Sequence, residues 1–277
     1  MQDFECEFER LPNGLRMAYV EQGPADGPTM VLLHGYTDSH RSFDLLRPHL
    51  PHSWRVIAPT ARGHGQSDKP EAGYELSEMA ADVRELLDVL GVERAVVVGH
   101  SMGAAVATLF AAAHPERTAG LVLVDGFASF RDNEAVAELA AAVAAFSDAV
   151  EPAFARAFQE SAFAQPVALG FLDMVVGESL LCPACVWKAA MAGMVSASIL
   201  ETALRVQAQA LLIYGDRDAF VPIADQVLLR DALPSAQISV MSGVGHTPQW
   251  ERPEKTAALI RRFLDEALQR EANAAAA

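Results

Sequence analysis

The sequence predicts an α/β chain, a mostly parallel sheet covered by helices on both faces. Three observations predict it. Short apolar runs rich in β-branched residues recur along the chain. The runs are continuous rather than alternating, as strands buried on both faces require. The segments between them place apolar residues three and four apart, the period of an amphipathic helix.

The elements follow in order. Residues 5–10 and 15–21 flank Pro12-Asn13-Gly14, and Asn-Gly between two strand-like runs signals an antiparallel hairpin. Residues 30–33, 56–58, 95–98 and 121–124 read as buried strands, as do 211–214 and 238–241. Between the second and third of these lies a helix over residues 76–90. It puts Leu76, Met79, Ala80, Val83, Leu86, Leu87 and Leu90 on one stripe, and Gly91 ends it. The last helix starts at Pro253-Glu254 and runs to about Arg270, leaving Ala274 to Ala277 as a tail.

One stretch breaks the rhythm. From about Phe127 to Leu204 no strand is expected, and the composition is Ala-rich and helical. It also holds Phe127, Phe130, Phe146, Phe154, Phe158, Phe163, Phe171 and Trp187. The predicted division is a core of residues 1–126 and 205–273 with a helical cap of residues 127–204. A minority of the cap aromatics is expected to roof a cavity, the rest to fill the cap's own core.

Composition narrows the partners. The chain has 277 residues, with 21 Lys+Arg against 36 Asp+Glu, a formal charge of −15. Nucleic acid and anionic membrane surfaces attract basic patches, so both are disfavoured. The acidic start Met1-Gln2-Asp3-Phe4-Glu5 does not resemble a signal peptide, and no apolar run reaches membrane-spanning length. The expected location is cytoplasmic. The cysteines are Cys6, Cys182 and Cys185. Cys182-Pro183-Ala184-Cys185 has redox spacing, but no second ligand pair completes a zinc site and no strand leads into it. Two half-buried thiols are the expectation.

The chemistry centres on Gly99-His100-Ser101-Met102-Gly103, which fits G-x-S-x-G between a strand and a helix. Such a turn presents the Ser101 hydroxyl above the sheet edge, next to a helix N-terminus that favours negative charge. A serine nucleophile needs a base and an orienting acid. His246, in Gly243-Val244-Gly245-His246-Thr247-Pro248, follows the last strand and is the expected base. His114 lies at a helix end, where capping is the simpler role. The acid has three candidates at strand ends: Asp218, Asp216 and Asp125, with Asp218 preferred on its loop pattern. The oxyanion hole needs two backbone N–H groups, expected from Met102 and Tyr36. His34 is expected to brace the Tyr36 loop.

His34-Gly35, Arg62-Gly63-His64-Gly65-Gln66-Ser67, the Ser101 turn, Gly215-Asp216-Arg217-Asp218 and Gly245-His246 together resemble the α/β-hydrolase superfamily. The resemblance covers essentially the whole chain. It implies an eight-stranded, mostly parallel sheet with a helical cap inserted after strand 6, and Asp218 as the acid after strand 7. Some relatives use an acid after strand 6, which keeps Asp125 open. Haloalkane dehalogenases and epoxide hydrolases carry Asp where this chain has Ser101, and the HGxP proline is absent from His34-Gly35-Tyr36-Thr37.

The expected activity is hydrolysis of a carboxylic ester or lactone through an acyl-enzyme, without metal or organic cofactor. The expected partner is a small apolar ester or lactone, since Arg131, Arg156, Lys188 and Arg205 are too few to attract a polyanion. C–C bond hydrolysis, perhydrolysis and a slow-turnover ligand receptor are the alternatives. The sequence does not fix the oligomeric state, and a homodimer stays open.

Overall fold

The computed structural model describes residues 5–275, with side chains described as far as residue 266. Residues 1–4 of the acidic start and the last two residues of the expected tail, Ala276 and Ala277, lie outside the described residues. One eight-stranded sheet organises the chain. Its strands are β1 (Glu7–Arg10), β2 (Arg16–Gln22), β3 (Thr29–Leu33), β4 (Arg55–Pro59), β5 (Ala95–His100), β6 (Thr118–Val124), β7 (Ala210–Gly215) and β8 (Gln237–Met241). They lie side by side in the order β1-β2-β4-β3-β5-β6-β7-β8. β1 and β2 form the expected antiparallel hairpin, β2 meets β4 antiparallel, and every later pairing is parallel.

The continuous apolar runs have a direct cause. Successive side chains of a strand point to opposite faces. Val31, Val97 and Leu121 therefore enter one core, while Met30, Val96 and Val122 enter the other. The first core takes α1 (Leu76–Val89) and α2 (Met102–Ala113). The second takes Ile260, Phe263 and Leu264 of α10 (Pro253–Ala275). On α1, Leu76, Met79, Ala80, Val83, Leu86 and Leu87 are buried as the stripe predicted, while Leu90 lies just past the helix and is half-buried. Each large residue of this kind contributes about 1.5–3 kcal/mol on burial. α10 continues past the expected end at Arg270 to Ala275, because its Ala- and Glu-rich end has high helix propensity.

Between β6 and β7 the chain forms helices only: α3 (Glu134–Ala144), α4 (Pro152–Ser161), α5 (Leu169–Leu181), α6 (Ala184–Ser196) and α7 (Ile199–Ala203). α8 (Ile223–Ala232) follows β7, and the short α9 (Pro248–Glu251) precedes α10. Among the described residues, no single helix is long and apolar enough to cross a membrane.

Cys182 and Cys185 depart from the expectation of two half-buried thiols. Cys182 is buried and its thiol donates to the Gly63 carbonyl at 3.4 Å, whereas Cys185 is exposed. They flank the start of α6, whose turn sends neighbouring side chains to different sides. Both thiols are free.

Candidate active site

The parallel strands all end on the same edge, and their loops bring the chemistry-bearing residues together there. The Tyr36 loop follows β3, Ser101 follows β5, Asp125 follows β6, Asp218 follows β7 and His246 follows β8.

Ser101 sits at φ 51° and ψ −114°, a left-handed conformation strained for a residue with a β-carbon. Such strain costs on the order of 1–3 kcal/mol and must be held by its surroundings. Its N–H donates to the Val124 carbonyl at 3.0 Å, and its carbonyl accepts from Ala104 at 2.9 Å, opening α2. The two motif glycines permit the turn. A β-carbon on Gly99 would lie 2.1 Å from the Gly103 carbonyl oxygen, and one on Gly103 would lie 2.1 Å from the Leu33 carbonyl oxygen. Any side chain at either position would force β5, α2 and β3 apart.

His246 is held against Asp218. Nδ1 of His246 lies 2.7 Å from Oδ2 of Asp218. Oδ1 of Asp218 accepts from the amides of Phe220 at 2.8 Å and Val221 at 3.0 Å. Burial pushes the Asp218 carboxyl up, but the facing imidazole and these hydrogen bonds outweigh it and hold it below its ordinary value. Ser101 and His246 line the same cavity, and among the described residues no hydrogen bond joins the two. Catalytic contacts of this kind often tighten only around substrate.

The other acid candidates have different partners. Asp216 accepts from the Gly243 amide at 2.6 Å and so ties down the loop that carries His246. Asp125 is fully buried, at φ 45°, and accepts from the Gly215 amide at 2.9 Å. Burial and the Asp218 charge beside it push the Asp125 carboxyl well above its ordinary value. Asp125, Asp218 and His246 offer ligand atoms within 4.8 Å of one another, the spacing of a possible cation site. The facing Nδ1 and Oδ2 atoms of His246 and Asp218 are already spent on each other, while Asp125 bonds to the Gly215 amide instead.

Tyr36 lines the cavity, and its hydroxyl donates to the Trp187 carbonyl at 2.6 Å. Met102 opens α2, where the first N–H groups have no partner within the helix. Its side chain points into a separate small cavity with Met17, Leu33 and His34, so only its backbone can serve the site. His34 braces the loop as expected. Its Nε2 accepts from the Ala61 amide at 2.9 Å, which leaves the proton on Nδ1, 2.8 Å from the Gly35 carbonyl. Burial holds His34 well below the usual imidazole range, in keeping with the acceptor role of Nε2.

The space beside Ser101 holds about 510 Å³, part of it continuous with open solvent. Of the aromatics between β6 and β7 only Phe130 and Phe158 line it, beside Val136, Leu139, Met191 and Met194. Trp187 is buried among Tyr36, Phe146, Phe154 and Phe158. Among the described residues, no Lys or Arg lines the cavity.

Two residues escape sequence reasoning. Glu251 accepts from the amides of Gly245, Ala164 and Gln165 at 2.8, 3.0 and 2.7 Å. It thereby clamps the His246 loop to the segment after α4, where the His246 amide also donates to the Ala162 carbonyl at 2.7 Å. Asp38, buried and lining the cavity, is the other. Both are acidic residues in a chain rich in them, and nothing local marks them out.

Known proteins resemble the chain along most of its length. A family model of the alpha/beta hydrolase fold matches residues 28–165. An uncharacterized protein of Mycobacterium tuberculosis is 30% identical, the match covering 92% of this chain and 80% of that one. The 2-(acetamidomethylene)succinate hydrolase of Mesorhizobium japonicum is 28% identical over 86% of this chain and 88% of its own. Among solved structures, a thermophilic esterase from Thermogutta terrifontis superposes with a TM-score of 0.80 at 25% identity, covering 95% of this chain and 99% of that one. The strand order, the strained serine between β5 and α2 and these relatives agree, and the chain belongs to the alpha/beta hydrolase fold family.

Proposed function

We propose that this hydrolase cleaves carboxylic esters or lactones of apolar substrates through an acyl-enzyme on Ser101. The observation that carries the reading is the His246–Asp218 bond of 2.7 Å on the rim of the apolar cavity that also holds the strained Ser101. Asp218 fixes the proton of His246 on Nδ1, which leaves Nε2 free to act as base. Ser101 Oγ attacks the substrate carbonyl while Nε2 takes its proton. The N–H groups of Tyr36 and Met102 stabilise the tetrahedral oxyanion. The carbon–oxygen bond to the alcohol breaks, and the imidazolium returns the proton to that oxygen. A water, deprotonated by Nε2, then releases the acid by the same steps in reverse roles.

The cavity's walls, Phe130, Val136, Leu139, Phe158, Met191 and Met194 among them, suit an apolar acyl or alkyl group. They argue against the substrate named for the Mesorhizobium relative, a succinate, since among the described residues the cavity offers a dicarboxylate Asp38 and no Lys or Arg. Epoxide opening through a carboxylate nucleophile is equally disfavoured by the hydroxyl at position 101.

Ser101→Ala is expected to abolish p-nitrophenyl ester turnover and labelling by a fluorophosphonate. Undiminished turnover in that variant, or labelling of a different residue, refutes the assignment.

A further inference from the structure

The cavity beside Ser101 has one polar wall that the acyl-transfer scheme leaves unused. Asp38 reaches it from the loop after β3 and is 3% exposed. Its Oδ2 accepts from the Ser42 hydroxyl at 3.0 Å, and its Oδ1 accepts from the Gln159 amide at 3.1 Å. Gln159 belongs to α4 and also donates to Ser179 Oγ at 2.8 Å. Among the described residues, Asp38 has no Lys or Arg partner. A carboxylate offers about four lone-pair positions, so Asp38 keeps capacity for further donors.

His100 stands beside it on the cavity wall. Its Nε2 lies 2.7 Å from the His246 carbonyl, which can only accept, so Nε2 carries the proton and Nδ1 a lone pair. That Nδ1 is buried without a partner. Burial, with His246 close by, pushes His100 down to about 3, so the ring stays neutral. Both acceptors converge on Gly35. A β-carbon there would lie 2.7 Å from His100 Nδ1 and 3.4 Å from Asp38 Oδ2. Position 35 therefore has no room for a side chain, because both acceptors already crowd it.

We propose that Asp38, where it lines the cavity beside His100, is a subsite for a hydrogen-bond donor of the substrate, a hydroxyl or an ammonium group. The preferred substrates are then hydroxy- or amino-substituted esters, with plain esters second and carboxylated ones last. The inference deepens the ester-hydrolase reading and rests on it. Its physical basis is the cost of a buried carboxylate with no cation beside it, which a charged or hydroxylic donor relieves and an alkyl group does not. A second carboxylate would meet Asp38 as a like charge.

The test compares p-nitrophenyl butyrate with its 3-hydroxy, 3-amino and hemisuccinate counterparts. In the wild type, kcat/KM for the hydroxy and amino esters is expected to exceed that for butyrate by about tenfold or more, the hydrogen-bond scale for a charged partner. The hemisuccinate is expected to fall below butyrate. Asp38→Asn keeps an acceptor oxygen and loses the charge, so the amino advantage should collapse while the hydroxy advantage shrinks less. Asp38→Leu should erase both. A merely structural role would lower all four substrates together and leave their ratios intact. Equal wild-type preference, or ratios unchanged in both variants, overturns the subsite. Calorimetric binding of the hydroxy and plain esters to Ser101→Ala reads the same preference without turnover. If no ester is hydrolysed, the hydrolase reading fails, and this binding ratio still decides the subsite.

Discussion

Replacing Asp218 with Asn is expected to lower kcat on p-nitrophenyl esters by about four orders of magnitude, through a wrong tautomer. Oδ1 of Asp218 faces two fixed backbone donors, the amides of Phe220 and Val221 at 2.8 and 3.0 Å. They will keep the carbonyl oxygen of an asparagine on their side. Its NH2 group then points at His246 Nδ1, across the present 2.7 Å contact. Nδ1 must accept that hydrogen bond, so the single imidazole proton moves to Nε2. No lone pair then remains there for the Ser101 proton. The same exchange in a serine protease triad costs about 10⁴ in kcat, equivalent to about 5 kcal/mol of transition-state stabilisation. Asparagine matches aspartate in shape, so the melting temperature should move little. The assay is initial-rate turnover at neutral pH with thermal unfolding as the control. Turnover within tenfold of wild type refutes the tautomer argument. A large loss in Asp125→Asn alone would then assign the acid to Asp125.

Other outcomes follow from the same geometry. Glu251→Ala leaves the amides of Gly245, Ala164 and Gln165 without their acceptor, and at about 1–3 kcal/mol per buried donor it should cost about 3 kcal/mol or more in urea unfolding. A loss under about 1 kcal/mol would mean that water answers those donors instead. Gly103→Ala drives a β-carbon to within 2.1 Å of the Leu33 carbonyl oxygen, a backbone atom that cannot step aside. Loss of folded protein, or a drop of about 3 kcal/mol, is expected, and a wild-type circular-dichroism melt would contradict it. Asp38→Asn should change the pH dependence of stability. Burial raises the Asp38 carboxyl from 3.8 to about 6. The folded state therefore holds its proton where the unfolded state has lost it, and stability falls as pH rises from about 4 to about 6. The full penalty, about 3 kcal/mol, is present above that range and absent below it. The melting temperature of the variant should therefore gain on wild type across that window. A constant difference from pH 4 to 7 would refute this.

Much of the fold is legible locally. Val96-Val97-Val98 and Leu121-Val122-Leu123-Val124 read as buried strands because each residue meets an apolar layer on one face or the other. The helix stripe from Leu76 to Leu87 is legible for the same reason, with α1 amphipathic against a single layer. Ser101 is legible because a strand, a glycine pair and a helix constrain one another within a few residues. Glu251 and Asp38 are illegible because their meaning lies in partners far along the chain, Ala164 and Gln159 among them. The aromatics between β6 and β7 are legible as a group and not singly. Phe130 and Phe158 reach the cavity while Phe146 and Phe154 pack against Trp187, a choice made by helix rotation.

By itself the sequence determines the element types, the family they resemble and the segment that carries each candidate group, because periodicity and turn chemistry act over a few residues. Only the tertiary structure decides the strand order, which of three aspartates faces His246, and that His100 and Asp38 share the cavity wall. Those choices rest on contacts between distant segments, where a shift of a few ångströms separates a hydrogen bond from none. No local pattern encodes a distance of that kind.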